Sequence, residues 1–300
     1  MKKLEIEKVI FKKLIKLNRY INLIELMEKD EFEDNDIKKY YKTTKYILYR
    51  IFGHHVGYMH VSISEDGKVK KSDYNYHPQK IAELVGEKNA KNVLELGSGQ
   101  SANIRYLAKR FSNVDFKGID IYPNFIKGKN ISIYEGDYHS LKMIESGSID
   151  IVYAIETLCY STDKQKVYDE VYRVLKKGGI FVTWDGYLAI PRETLTQKQL
   201  VIVKMLENGF YLNKLEYIGD IKNYEEDFKI ILSKNMKNGV MPFAIQSVKR
   251  IESYMKFGMF FKFFCSVFPK EFINNLAPLY LMADSLEYNL SVYYELRYEK

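Results

Sequence analysis

The segment VLELGSGQ at residues 93–100 constrains the fold of this 300-residue chain more than any other. Its apolar half predicts a buried strand, and its glycines, Gly97 and Gly99, allow a sharp turn into a helix near 104–110. Since helical segments alternate with the further apolar segments, a parallel sheet is expected. The further predicted strands are 116–121, 131–134, 149–153 and 180–184.

The remaining segments define a domain organisation around this core. Within the core, Gly178 and Gly179 are expected to end a helix at 163–175, and 215–218 is a candidate strand. Apolar residues at helical spacing predict one amphipathic helix within 4–28. The predicted domains are an N-terminal helical and aromatic cap segment at 1–77, the core at 78–223, a helical lid inserted at 224–285, and a final core strand within 286–300.

Composition excludes several classes of protein. Hydrophobic residues make up 46% and charged residues 28%, which is typical of a globular chain and not of a disordered or collagen-like one. The net charge of +7 falls short of the dense basic surfaces of dedicated nucleic-acid binders. Only two cysteines occur, Cys159 and Cys265, so a disulfide framework is excluded. With no signal-peptide core and no long apolar stretch, a cytoplasmic protein is expected.

A second acid indicates the ligand of the glycine turn. Asp120 ends the next predicted strand, 21 residues after Gly99, and a carboxylate about 20 residues beyond such glycines is typical of a ribose contact. These residues together predict an adenosine-containing cofactor. Glu95 would repel a pyrophosphate but can face the ammonium and sulfonium groups of S-adenosylmethionine, which favours that cofactor over a nicotinamide dinucleotide.

Further residues complete the predicted cofactor site. Asp137 follows the third strand, where its carboxylate could accept a hydrogen bond from the adenine amino group. Its alternative role is the N-cap of a helix. The other predicted cofactor contacts are Ser98, Ile121, Tyr138 and Ala154.

Read with AIETLCY at 154–160 and RVLKKGGIFVTWDGY at 173–187, these motifs resemble the class I S-adenosylmethionine-dependent methyltransferases. The resemblance covers about 85–190. It implies an α/β, Rossmann-like fold with a seven-stranded, mostly parallel sheet and helices on both faces, flanked by the N-terminal helical segment and a helical lid before the last strand.

A narrower resemblance is to the sterol 24-C-methyltransferase branch. It rests on 152–160, on 168–175 and on an upstream glycine, aromatic residue and histidine, present here in GYMH at 57–60. Tyr160 replaces the histidine usual in that branch, so sterol does not follow as the substrate. The resemblance would imply attack of a π bond or an activated carbon on the cofactor methyl group.

Methyl transfer is an in-line displacement that needs positioning but no metal, and transfer to an alkene also needs a base. The candidate catalytic residues are Glu156, His60, Tyr160 and Tyr41. Glu156 follows the fourth strand at the carboxyl edge, where parallel sheets bind ligands. Its alternative role is an acid at a helix start, and that of His60 is a core histidine. Together with His54 and His55, His60 lacks a familiar ligand spacing, so no metal site is expected.

We therefore expect a methyltransferase for a small apolar acceptor of isoprenoid, lipid or polyketide type, with C-methylation favoured over O- or N-methylation. A nucleic-acid methyltransferase is disfavoured, because 154–157 lacks the Asn/Asp-Pro-Pro-aromatic turn. A non-catalytic cofactor-binding partner protein is the other alternative. The phenylalanine-rich stretch 257–268 is interpreted as a substrate lid, a core helix or a peripheral membrane contact. A homodimer is left open, and no nucleic-acid partner is expected.

Overall fold

The computed structural model describes residues 2–29, 31–50, 57–224 and 228–300, and one sheet of seven strands lies within them. The strands are β1 (Asn92–Leu96), β2 (Asp115–Asp120), β3 (Ile131–Glu135), β4 (Ile149–Ile155), β5 (Leu175–Leu188), β6 (Lys229–Asn235) and β7 (Ser291–Glu299). Their order across the sheet is β3-β2-β1-β4-β5-β7-β6. The first five pair in parallel, and β7 is antiparallel to both of its neighbours. This confirms the expected seven-stranded, mostly parallel α/β fold.

Helices cover both faces of the sheet, as expected. The α-helices are α1 (Lys2–Leu17), α2 (Leu23–Glu28), α3 (Asp34–Arg50), α4 (Tyr76–Glu87), α5 (Ala102–Ala108), α6 (Lys164–Val174), α7 (Gln197–Gly209), α8 (Lys237–Met255), α9 (Met259–Val267), α10 (Lys270–Ile273) and α11 (Leu276–Glu287). Val93 of β1 packs in one apolar cluster with Ile81 of α4 and Ile104 of α5. The next residue, Leu94, packs in another cluster with Val167 of α6. Burial on both faces explains why β1 is a continuous apolar run interrupted only by Glu95.

A third apolar cluster extends from Leu188 at the end of β5 to the helices outside the sheet. It joins Leu14 of α1, Leu26 of α2, Val203 of α7, Phe261 of α9 and Leu281 of α11. The N-terminal helices therefore pack against the insertion α8–α11, which separates β6 from β7. Among the described helices, none combines the length and apolar composition that crossing a membrane requires.

The N-terminal region differs from the single helix expected within 4–28. The chain leaves α1 after Leu17 and starts α2 at Leu23, where the side chain of Asn22 caps the helix by accepting a hydrogen bond from Glu25 N at 3.2 Å. The expected apolar face is buried at Ile10 and Leu14 but not at Ile24, which is 69% exposed. Because α2 is a separate helix, its residues do not continue the periodic spacing that places apolar residues on one face of α1.

Two predictions for the second half of the core are wrong, although the helix expected at 163–175 is present as α6. The glycine pair does not separate this helix from the next strand, because β5 already begins at Leu175, which pairs with Ile149 of β4. Gly178, with φ +74°, lies inside β5 and donates to Lys300 O at 2.8 Å. The candidate strand at 215–218 is also wrong, since a 3-10 helix begins at Ile218 and only one isolated bridge, from Tyr217 to Leu188, precedes it.

The expected helical lid at 224–285 contains a strand. β6 occupies Lys229–Asn235 at the edge of the sheet, and the α-helices of this segment start only at Lys237. Ile230 and Ile231 are both exposed on β6, and lysines flank them. A charged edge strand lacks the alternation of a half-buried strand, which explains why the sequence pattern did not reveal it.

The last residue of α7 gives a test of how this helix packs on the insertion. A Cβ at Gly209 would lie 2.3 Å from Pro278 Cδ and 2.8 Å from Asn274 O. We expect Gly209→Ala to lower the free energy of unfolding by about 1–3 kcal/mol, since α7 and α11 must separate to admit the methyl group. Gly86→Ala is the matched control. It lies in α4 with nothing within 4 Å of its Cβ and should raise stability by up to about 1 kcal/mol. Urea unfolding of both variants measures the contrast, and equal effects would contradict this packing.

Candidate active site

The glycine turn after β1 lies directly against the turn after β4. Gly97 and Gly99 adopt φ +66° and +46°, which favour glycine. The amide of Gly97 donates to Ile119 O at 2.8 Å, which fixes the turn to the end of β2. A Cβ at Gly97 would lie 2.1 Å from Thr157 Oγ1. No larger residue fits at this position, so the carboxyl ends of β1 and β4 meet here.

Asp120 is held beside the glycine turn by two backbone amides. Its Oδ2 accepts a hydrogen bond from Gly99 N at 2.8 Å, and its Oδ1 accepts one from Tyr122 N at 2.7 Å. Each carboxylate oxygen can accept a further hydrogen bond. The carboxylate therefore has a fixed orientation at the edge of the sheet.

Glu95 brings a buried carboxyl group to the same turn. Its Oε1 accepts a hydrogen bond from Asn103 Nδ2 at 2.8 Å, and its Oε2 accepts none from the described residues. Burial raises the pKa of Glu95 to about 8, although the hydrogen bond from Asn103 opposes the shift. A cation bound at this carboxyl group would offset the cost of ionising it.

Two of the predicted cofactor residues lie on the loop after β3. The side chain of Asp137 is exposed, and it accepts hydrogen bonds from His139 N at 2.8 Å and His139 Nδ1 at 2.5 Å. A turn follows Asp137 where the alternative role required a helix, so the N-cap interpretation is wrong. Tyr138 is buried and donates to Thr157 O at 3.0 Å. Thr157 thus contacts both the glycine turn and the loop after β3.

The other predicted cofactor residues have different surroundings. The side chain of Ser98 points to β2, where a Cβ on Gly118 would lie 2.9 Å from Ser98 Oγ, so only its backbone is near the turn. Ala154 is buried near the end of β4. Ile121 packs against a group of tyrosines, which we call the tyrosine wall. The wall consists of Tyr40, Tyr41, Tyr160 and Tyr211.

Glu156 occupies a strained position just past β4. Its φ is +49°, which costs a residue other than glycine about 1 kcal/mol or more. Its Oε1 accepts hydrogen bonds from Val61 N and from Tyr293 Oη, both at 2.9 Å. Burial raises the pKa of Glu156 to about 8, and nearby Asp185 adds to the shift. Glu156 directly precedes Thr157, the N-cap of a short 3-10 helix at Leu158–Tyr160, and Asp163 caps the next α-helix, so Glu156 itself caps neither helix.

The segment that carries His60 packs beside Glu156. His60 Nδ1 lies 2.9 Å from Val61 O, and its ring centroid lies 4.4 Å from that of His77. His77 Nε2 in turn lies 3.3 Å from Tyr293 Oη. Burial, and then His60, hold the pKa of His77 well below its usual range, so His77 is neutral. A buried polar chain thus runs from His77 through Tyr293 to Glu156.

Sequence reasoning missed both His77 and Tyr293. His77 directly precedes the predicted start of the core, and Tyr293 is one of several tyrosines that alternate along β7. They reach Glu156 from 79 and 137 positions away, so no local motif connects them. The only signal in the sequence for these two residues was a polar group within an otherwise apolar helix or strand.

Tyr160 and Tyr41 meet on the other side of the 156–160 turn. Their ring centroids lie 5.3 Å apart, and Tyr160 Oη donates to Phe210 O at 2.9 Å. Burial raises the pKa of both phenols well above the usual range, so both are neutral near pH 7. Asp120 is among the charges that raise the pKa of Tyr41, which puts the tyrosine wall close to the predicted ribose contact.

The predicted absence of a metal site remains a prediction. Of the three histidines considered for such a site, His54, His55 and His60, the first two lie outside the described residues. Within the described part of the chain, no three His, Cys, Asp or Glu side chains form a metal-binding group.

Comparisons with known proteins identify a family model and curated proteins whose sequences are similar to this chain. A model of the methyltransferase domain family matches residues 94–183, from β1 into β5. The 24-methylenesterol C-methyltransferase 2 of Arabidopsis thaliana is 24% identical over 189 residues, covering 59% of this chain and 52% of that protein. The chain thus spans about half the length of this curated relative.

Solved structures share the fold at low sequence identity. The cyclopropane synthase MmaA2 from Mycobacterium tuberculosis superposes with a TM-score of 0.68 at 10% identity, covering 89% of this chain and 98% of that one. A geranyl diphosphate C-methyltransferase from Streptomyces coelicolor A3(2), in complex with Mg²⁺, geranyl diphosphate and S-adenosyl-L-homocysteine, gives 0.59 at 14% identity, with coverages of 88% and 96%.

The strand order and the glycine turn agree with these matches. The chain has the fold of the class I S-adenosylmethionine-dependent methyltransferases, and residues 94–183 match the methyltransferase domain family. A sterol C-methyltransferase is among the curated proteins to which the chain is similar.

The raised pKa of Glu156 predicts how stability depends on pH. The pKa is about 8 in the folded protein, against the ordinary value of 4.5 that applies to the unfolded chain. Between these values the folded state holds a proton that the unfolded state has lost. The contribution of Glu156 to stability is therefore fully present below about pH 4.5 and is lost as the pH rises through 8. For one group the slope is at most about 1.4 kcal/mol per pH unit.

We expect Glu156→Gln to flatten the fall in unfolding free energy between pH 5 and pH 8, because glutamine carries no titrating proton. Glu95 titrates in the same direction in both proteins, so the difference between their slopes isolates Glu156. Urea titrations at several pH values measure the slopes, and the exposed Glu145→Gln should keep the wild-type slope. Parallel curves for wild type and Glu156→Gln would contradict the burial argument.

Proposed function

We propose that this protein binds S-adenosylmethionine and transfers its methyl group to a carbon atom of a small, apolar, isoprenoid or other lipid-like acceptor. One observation carries the proposal: the glycine turn, with Asp120 and Glu95, abuts the Glu156 turn at the contact between Gly97 and Thr157. A cofactor at the first turn would thus present its reactive group to the second.

The residues at the glycine turn suit this cofactor. The oxygens of Asp120 can accept hydrogen bonds from ribose hydroxyls, and the unsatisfied Glu95 Oε2 can accept one from an ammonium group. Asp137 would receive the adenine amino group, with Ile121, Tyr138 and Ala154 as apolar neighbours and the Ser98 backbone at the turn. When bound, S-adenosylmethionine supplies an electrophilic methyl group on a sulfonium. The S. coelicolor relative was solved with the corresponding product, S-adenosyl-L-homocysteine.

The tyrosine wall supports an apolar acceptor that becomes cationic. Aromatic faces attract cations, and Tyr41 and Tyr160 are half-buried and neutral. If the acceptor is an alkene, its π electrons form the new C–C bond as the S–C bond breaks, and the neutral thioether leaves with the electron pair. The positive charge left on the acceptor is then removed by loss of a proton.

Glu156 is suited to take that proton. A carboxylate with a pKa of about 8 is a stronger base than an exposed one, and an adjacent cation would favour its ionised form. Val61 N and Tyr293 Oη hold one oxygen in place, so His77 and Tyr293 act as positioning residues and His60 shields the group from water. The relatives named for sterol and geranyl diphosphate C-methylation are consistent with such an acceptor. A cytoplasmic location and a homodimer remain predictions.

The cofactor assignment is tested by Asp120→Asn, which keeps the size of the side chain but removes its charge. We expect the affinity for S-adenosylmethionine and S-adenosylhomocysteine to fall by at least about tenfold, as for the loss of a hydrogen bond to a charged group. Calorimetric titration of both ligands measures the change. Asp115→Asn, at the opposite end of β2, should leave both affinities as in the wild type. Unchanged binding by Asp120→Asn would remove this residue from the site, and no binding by the wild type would overturn the cofactor proposal.

The role of Glu156 is tested by turnover. Glu156→Gln should reduce methyl transfer by at least about a hundredfold, because glutamine cannot accept the proton, while the KM for S-adenosylmethionine changes little. Tyr293→Phe should cause a smaller loss and shift the pH profile of kcat, since it removes one hydrogen bond to the base. The assay follows label from the methyl group of the cofactor into organic-extractable product, with geranyl diphosphate and an unsaturated sterol as acceptors. Full turnover by Glu156→Gln would remove it as the base.

A further inference from the structure

The turn before α9 and the outer side of α9 expose a cluster of large apolar side chains. Phe260 is 79% exposed and Phe263 is 67% exposed, and the other members are more than half exposed. We call this surface the outer phenylalanine face. It consists of Phe257, Met259, Phe260, Phe263 and Val267. Contiguous exposed apolar surface of this kind marks a site of interaction.

The opposite side of α9 is already packed. Phe261 is 6% exposed, and its ring centroid lies 5.0 Å from that of Tyr20. The rings of Phe264 and Phe268 lie 4.1 Å apart on the same side. A helix that is apolar on two opposite sides is normally covered on both of them. None of the described residues covers the outer phenylalanine face, which leaves it accessible to a partner.

The charges around this face favour an anionic partner. Residues 253–270 contain six phenylalanines and three lysines but no Asp or Glu. The three lysines, Lys256, Lys262 and Lys270, are all exposed. Lys270 is ion-paired with Glu25, which leaves Lys256 and Lys262 as the charges of this face. In a two-fold contact between copies of this chain, these two lysines would face one another and repel. Aromatic residues beside lysines are instead the pattern of a helix that lies at the surface of an anionic membrane.

The size of α9 sets the mode of contact. A helix of nine residues is about 14 Å long, less than half of the ~30 Å hydrocarbon core of a bilayer. It cannot cross the membrane, but it can lie in the interface with its outer side among the acyl chains.

We infer that the outer phenylalanine face docks on an anionic lipid surface, with Phe260 and Phe263 inserted between acyl chains and Lys256 and Lys262 at the headgroups. The inference goes beyond the proposed reaction and does not depend on it, because the contact requires neither cofactor nor acceptor. Binding to vesicles and methyl transfer are therefore measured separately, and either can fail without the other.

The first test is sedimentation of the full chain with vesicles of phosphatidylglycerol and phosphatidylcholine in equal parts, and with vesicles of phosphatidylcholine alone. We expect the wild type to bind the anionic vesicles preferentially, less so at high salt. The double variant Phe260→Ser/Phe263→Ser should lower the partition coefficient by at least about tenfold. Lys256→Gln/Lys262→Gln should lower it by about tenfold on anionic vesicles only.

The loop between β2 and β3 provides matched controls. Phe125 is 64% exposed, and Lys127 and Lys129 are exposed on the same loop. Phe125→Ser and Lys127→Gln/Lys129→Gln should bind vesicles as the wild type does. Wild-type affinity of the α9 variants, or no binding by the wild type, would overturn the inference. It would also be overturned if the wild type were a dimer that Phe260→Ser/Phe263→Ser converted into monomers, since the face would then join two copies.

A second measurement keeps a large aromatic side chain at position 260. Trp184 is the only tryptophan and is fully buried, so its emission gives a constant background. In Phe260→Trp, the new indole should shift its emission to the blue on anionic vesicles and be quenched by lipids brominated in the acyl chain. Unchanged emission from this variant in the presence of vesicles would count against insertion.

Discussion

The contact between Gly97 and Thr157 is the constraint on which the site depends. A side chain at position 97 would overlap the threonine, so only glycine allows the turn after β1 to rest on the turn after β4. These strands are neighbours in the sheet, but the chain leaves them in opposite directions, since β2 and β3 lie beyond β1 and β5 lies beyond β4. A crevice forms at such a reversal. Glu95 near the end of β1, Asp120 at the end of β2 and Glu156 just past β4 all lie at this edge of the sheet.

Two of those carboxyl groups are costly to bury, and different charges can compensate them. Glu95 and Glu156 both have a pKa raised to about 8 by burial, so neither is fully ionised near pH 7 in the protein alone. In the proposed reaction, the ammonium group of the cofactor would compensate Glu95, and the charge developing on the acceptor would compensate Glu156. The strained backbone of Glu156 agrees with such a role, because strain of this kind concentrates at functional sites.

Sequence could predict what is local and not what is assembled from distant parts. The strands β1 to β5 and the glycine turn were predictable, because apolar runs and glycines carry their signal within a few residues. β6 was missed because an exposed edge strand bounded by lysines has no buried face to create alternation. The hydrogen-bond partners of Glu156 could not be predicted for a similar reason. Val61 contributes its backbone amide, which is independent of the identity of the side chain. Tyr293 comes close to Glu156 only because β7 pairs with β5.

The insertion α8–α11 relates the membrane inference to the proposed acceptor. Phe261 and Phe264, on the inner side of α9, belong to the same apolar cluster against which Cys159 and Tyr160 pack. An apolar acceptor that left a bilayer at α9 would therefore meet apolar side chains between the surface and the 156–160 turn. Keeping such a molecule out of water conserves about 25 cal/mol for each Å² of its apolar surface. A polar acceptor would gain nothing from this arrangement, so a membrane-docked α9 and a lipid-like acceptor support each other.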